Sequence, residues 1–256
     1  MEGTAVKFAV TLGTILLALC CIANAQIGPV PGTFSGGYVG KQPISLRSLG
    51  SNTQSGSGHT TTTLTTTAPI HPGDAVLVFY ANSDNSLITV SGVGDGSSNS
   101  YGNVVAVNDG SLANATVWGV ANSGFLPTGT VITVTHTSTS ASDADVVGAV
   151  AIAGLIRTSP TDKTNTLAST SASPVVGTTT LSQANEIVVG MSVRTGAYTT
   201  AAGFANVFNV LNAAGPVTMG VDYIVVAATT SVSYAPTWTG GAVVTATLVA
   251  TFKGFP

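Results

Sequence analysis

From Gly73 to the last residues the chain repeats one pattern: a short run of Val, Ile, Thr and Ala, then a cluster of Gly, Asn, Asp, Ser or Pro. Such runs read as strands, because β-branched side chains suit a pleated surface and the intervening residues supply turn conformations. They fall at Gly73–Ala81, Leu87–Val93, Val104–Val107, Ala115–Ala121, Thr130–Thr137, Asp145–Ile156, Glu186–Val193, Val217–Ala227 and Ala242–Phe252. Ala115–Ala121 and Thr130–Thr137 alternate with period two, as strands with one wet face do. Asp145–Ile156 is apolar nearly throughout, which predicts a central strand. Phe204–Ala214 reads equally as a short helix or a strand. No amphipathic helix pattern of useful length occurs, and no clean internal repeat is evident, although the two halves share a texture. The pattern predicts an all-β chain: an antiparallel β-sandwich, jelly-roll-like.

Charge narrows the function classes. Charged residues are 7% of the 256-residue chain, with 7 Lys+Arg against 10 Asp+Glu, where globular proteins average about 25%. So few basic residues make neither a phosphate-binding patch nor a polybasic membrane-surface patch, which excludes nucleic acid and anionic lipid as expected partners.

The first 25 residues read as a signal peptide. Lys7 precedes an apolar stretch from Phe8 to Ile22, and Ala23-Asn24-Ala25 is a small-x-small cleavage site. A retained anchor, or a lipoprotein acylated at Cys20 or Cys21, are the competing readings. Cleavage before Gln26 removes both cysteines, leaving no disulfide, thiolate site or cysteine nucleophile, and the product is expected outside the cell or on its surface, with no membrane attachment. Residues 26–58, rich in Gly, Pro and Ser, read as an arm or linker with a short strand near Ile44–Leu49. Residues 59–256 are then the β-sandwich domain, opening on the threonine-rich His59–Thr67.

Motifs for chemistry are sparse. His59, His71 and His136 show no i, i+4 pairing, so no zinc site of usual spacing is indicated. Asp143 and Asp145 could share a face toward calcium but fall short of its oxygen count. Glu186 is the one glutamate after the signal, so two glutamates across a cleft are not available. No Gly-x-Ser-x-Gly or Ser-x-x-Lys occurs. Asp95, Asn99 and Tyr101 read as a structural turn. Tyr234 and Trp238, in Ser-Tyr-Ala-Pro-Thr-Trp, point to one side if extended and are candidates for stacking on a sugar ring. No catalytic residue, metal or cofactor is expected.

The order of several short motifs resembles a β-sandwich domain found in secreted bacterial proteins and in some phage virion proteins. The matching residues are Gly73-Asp74, Asp95 with Asn99 and Tyr101, Val117-Trp118 with Ala121-Asn122, Val146–Gly154, Asn185-Glu186, Gly203-Phe204 and Ala242–Phe252. Ser98 and Gly119 depart from the pattern, which has Gly and an aromatic there. The resemblance spans His59 to Gly254 and implies fold and compartment, with no activity to carry over. The expected function is a non-enzymatic structural or adhesive protein of a surface, filament or virion, self-associating through its arm. A carbohydrate-binding module contacting cell-surface polysaccharide through Tyr234 and Trp238 is the alternative. A hydrolase whose site forms only in three dimensions is the second.

Overall fold

The computed structural model describes residues 42–256, except 57, 84–87, 111–112, 139–143 and 241–242. Among the described residues every regular element is a strand, and every named pair is antiparallel. The first half holds β1 (Ser45–Ser55), β2 (Thr61–Thr65), β3 (Ala75–Asn82), β4 (Val90–Gly94), β5 (Gly102–Asn108), β6 (Asn114–Val120), β7 (Val131–His136) and β8 (Ala144–Ala153). It forms a five-stranded sheet, β1-β8-β3-β6-β5, and a three-stranded sheet, β2-β7-β4.

The second half holds β9 (Thr161–Ser169), β10 (Val176–Gly177), β11 (Glu186–Arg194), β12 (Tyr198–Thr199), β13 (Ala205–Asn212), β14 (Val217–Val226), β15 (Ser233–Tyr234), β16 (Thr237–Trp238) and β17 (Thr245–Lys253). Its large sheet runs β9-β17-β11-β14-β13, and two small ladders, β10-β15 and β12-β16, lie outside it. With β15 and β16 taken as two pieces of one strand, each half has the order first-eighth-third-sixth-fifth over second-seventh-fourth. The chain is thus a tandem of two jelly-roll-like halves. Their contacts are reciprocal: β1 lies against β13 and β5 against β9, the same pair with the halves exchanged, as in an isologous interface.

Three apolar layers result. Between the large sheets, Leu77, Phe79, Val150 and Ile152 pack against Val189, Met191, Leu248 and Phe252. Beneath the three-stranded sheet, Val76, Val78 and Val147 meet Leu64, Ile132 and Val134. On the far side, Val188 and Val249 meet Val176, Leu181 and Tyr234. Strands β3, β8 and β11 therefore have a core on both faces, which is why their sequences lack alternation. Each buried Leu, Ile or Phe contributes about 1.5–3 kcal/mol. The outer strands β2 and β7 keep one wet face and alternate.

The structure redraws two boundaries. Residues 45–55, expected within the arm 26–58, form β1, paired with β8 along its length apart from a bulge at Leu49. Beyond Leu46 and Leu49, which pack on the cores, β1 is polar, and its ladder hydrogen bonds hold it as an edge strand. Residues 1–41, including the expected signal peptide, lie outside the described residues. Phe204–Ala214 resolves as the strand β13. Five margin strands of the larger sheets, β1, β4, β5, β9 and β13, carry register shifts in their ladders. Bulges twist an edge away from further pairing, a protection most sequences obtain from charge.

Candidate functional site

Side chains two apart on a strand share a face, so the polar residues at one end of the first half all turn into the same layer. Asp145 has the parity of Val147 and Ala149, Tyr80 and Asn82 that of Val78, His136 that of Val134, and Thr62 that of Leu64, all members of the layer under the three-stranded sheet or flanking it. The ladder places Asn82 opposite Asp145. The result is a fully buried aspartate ringed by donors. Asp145 Oδ1 accepts from Tyr80 OH at 2.7 Å and from Asn82 Nδ2. Its Oδ2 accepts from Thr62 Oγ1 at 2.8 Å and lies 2.5 Å from His59 Nε2. His136 Nε2 is 3.0 Å from Thr62 Oγ1 and 3.6 Å from Asp145 Oδ2. The other His136 nitrogen, Nδ1, sits 2.8 Å from the carbonyl oxygen of Thr137. The His136 ring stacks on Tyr80 at 5.2 Å between centroids and meets His59 edge-on at 5.5 Å. The His136 and Asp145 side chains are sealed, whereas the His59 side chain is 15% exposed. Tyr80 also lines a cleft of about 290 Å³ together with Asn103, Asn108, Asn114 and Thr116.

The second half does not repeat this chemistry. In the ladders, Tyr80 opposite Val147 corresponds to Ser192 opposite Thr247. Those two hydroxyls pair at 2.9 Å, and Trp238 Nε1 donates to Ser192 at 3.2 Å. The fold therefore stands without a buried aspartate at this place, and the cluster is particular to the first half.

The second half instead builds a tyrosine relay. Tyr234 OH and Tyr198 OH are 2.7 Å apart, Tyr198 donates to Asp222 Oδ2, and Asp222 also accepts from the Ala201 amide at 3.0 Å and from Asn206 Nδ2 at 2.9 Å. Burial holds the Asp222 carboxyl above its usual range, against the pull of these donors. Burial, then the neighbouring Tyr234 and Asp222, raises the Tyr198 hydroxyl far above the ordinary phenol. This relay overturns the expectation of sugar-stacking rings. Tyr234 is 0% and Trp238 5% exposed, and Tyr198 packs against Trp238 at 5.0 Å. The two short strands that carry them cover the outer face of the sheet and turn both rings inward.

Asp95, Asn99 and Tyr101 meet as one turn. Asp95 accepts from the Ser97 amide at 2.9 Å, from Asn99 Nδ2 at 2.7 Å and from Tyr101 OH at 3.0 Å. Burial would raise the Asp95 carboxyl, but these donors, Ser97 foremost, hold it below its usual value. Asp143 lies outside the described residues, and Asp145 faces the interior.

Glu186 opens β11 fully buried, with Oε1 accepting from the Gln183 amide at 3.2 Å. Burial and the neighbouring Asp162 raise its carboxyl. For Asp162, burial would raise the carboxyl too, but the Ser182 amide and Lys163 lower it overall. The folded chain thus holds protons on Glu186 and Asp222 at pH values where an unfolded carboxyl, near 4, has lost its own. That stability is complete below the unfolded value and is lost as pH rises through the raised folded values. Asp95 and Asp162 act oppositely, and their contribution is lost as pH falls. Thermal unfolding is therefore expected at higher temperature near pH 5 than at pH 7, with a decline again below about pH 4. Glu186→Gln is expected to flatten the slope between pH 5 and 7; an unchanged slope removes Glu186 from the account.

Nothing in the sequence joins His136 to His59 or Asp145. Their separations in sequence follow no motif, because His136 and Asp145 stand on different strands and His59 lies just before a third. The available signal was negative: a lone aspartate opening a continuously apolar strand needs a partner. No protein-family model, curated protein or solved structure matches the chain.

Proposed function

We propose that this chain is a non-enzymatic extracellular structural or adhesive protein that associates with copies of itself through uncharged polar faces. The observation that supports this reading is where its few charges go. Of the described carboxylates, Asp74, Asp95, Asp145, Glu186 and Asp222 are buried and Asp109 and Asp162 half-buried. Arg194 is buried, Arg47, Lys163 and Lys253 are half-buried, and among the described charged residues Arg157 alone is exposed. The carboxylates serve the interior as hydrogen-bond acceptors, and the exterior is left mainly to Thr, Ser, Asn, Ala and Gly, with scattered apolar side chains such as Phe125, Val175 and Leu211. Like-charge repulsion, which keeps most soluble proteins apart, has little to act through on such a surface. The bulged sheet margins favour contact through faces over strand addition at an edge.

Sedimentation of the purified chain over a concentration series tests this. Oligomers are expected that grow with concentration and change little between about 0.05 and 1 M NaCl, since screening has few exposed charges to act on. A monomer at every concentration, or assembly that dissolves in salt, removes the reading.

A further inference from the structure

We propose that His59 Nε2, His136 Nε2 and Asp145 Oδ2 bind one divalent transition-metal ion of the zinc class, with a fourth position open beside His59. These are the one group of three such donors that converge among the described residues, their atoms lying within 4.8 Å of one another. This site is independent of the proposed self-association, and either stands if the other fails.

The hydrogen bonds around the cluster aim its ligand atoms at one another. A carbonyl oxygen only accepts, so the 2.8 Å contact to Thr137 O places a proton on His136 Nδ1. In the neutral ring the lone pair is then at Nε2, aimed at a carboxylate oxygen 3.6 Å away. Thr62 lies near both atoms with a single hydroxyl proton to give. Oδ2 draws on Thr62 and on His59 Nε2 at 2.5 Å, and a metal ion among the three ligand atoms would take the place of these shared protons. Histidines that bind metals commonly donate their other ring N–H to a backbone carbonyl, the arrangement at His136. The carboxylate is held in the same way: Tyr80 and Asn82 occupy Oδ1 and leave Oδ2 toward the histidines.

The spacing is suitable. Ligands about 2.0–2.1 Å from a tetrahedral zinc stand roughly 3.3 Å apart. The His136–Asp145 separation is 3.6 Å, and His59, the partly exposed member, has only to move outward from its 2.5 Å contact. Two imidazoles and one carboxylate favour zinc, copper or nickel over calcium and magnesium, which prefer oxygen ligands.

The test uses the full chain with Cys20→Ser and Cys21→Ser, so that no thiolate competes, titrated with Zn²⁺ against a chromophoric chelator. One equivalent is expected to bind, unaffected by excess Ca²⁺, and Co²⁺ in its place is expected to give the visible bands of a tetrahedral site with nitrogen ligands. His59→Ala, at the rim, is expected to weaken binding more than 100-fold, and Tyr80→Phe, which loosens the carboxylate, about tenfold. His71→Ala, with its side chain 59% exposed and outside the cluster, is expected to leave binding unchanged. Folding of each variant is checked by circular dichroism. No zinc uptake by the folded parent, uptake equal in His59→Ala, or uptake lost in His71→Ala overturns the proposal.

Discussion

Asp145→Ala is expected to destabilise the protein by about 4–5 kcal/mol, close to the whole stability of many domains of this size. The carboxylate accepts from Tyr80, Asn82 and Thr62 and touches His59, in a place with no solvent access to Asp145. Removing it strands several donors at once, and each unsatisfied buried donor costs about 1–3 kcal/mol. Asp145→Asn keeps the shape but turns an amide NH₂ toward existing donors, and a loss of about 2 kcal/mol is expected. Urea unfolding followed by tyrosine fluorescence measures both. A loss below about 1 kcal/mol for the alanine variant would show that water enters and satisfies the ring of donors.

Gly220→Ala is expected to cost about 3 kcal/mol or more, and Gly190→Ala a similar amount. Both glycines lie within strands, and an aromatic ring lies flat on each. A Cβ at Gly220 would stand 2.3 Å from the Tyr198 ring, and one at Gly190 2.5 Å from the Tyr234 ring. Neither ring can withdraw freely, because the hydroxyls are tied to each other and to Asp222. The same tie makes the pair non-additive: once one ring has shifted, the second substitution is expected to cost less than it does alone. Gly94→Ala is the control, since its Cβ would meet nothing within 4 Å, and a change within about 0.5 kcal/mol is expected. Equal losses at Gly94 and Gly220 would attribute the effect to strand glycines in general.

The resolved elements show how far local pattern carries. Runs such as Gly73–Ala81, Glu186–Val193 and Val217–Ala227 mark β3, β11 and β14 to within a residue or two. Burial on both faces demands continuous apolar side chains in β3 and β11, and composition displays that; β14 is buried over its first six residues. β9, Thr-Asp-Lys-Thr-Asn-Thr-Leu-Ala-Ser, escaped because an edge strand with an exposed pattern has no hydrophobic signature. The duplication escaped for a related reason. The halves share strand order and alternation, not residue identity: Tyr80 corresponds to Ser192 and Val147 to Thr247. Trp238 and Tyr234 were legible as aromatic residues in a turn-rich stretch, but the face they present depends on which sheet that stretch covers.

By itself the sequence determined an antiparallel all-β chain, punctuated by turns and almost without charge, because side-chain alternation and turn chemistry act over a few neighbouring residues. Tertiary structure alone decided which polar groups meet. Thr62, Tyr80, Asn82, His136 and Asp145 come together through the registers of β2, β3, β7 and β8, with His59 just before β2. A slip of one residue in any of these ladders would turn its member to the opposite face.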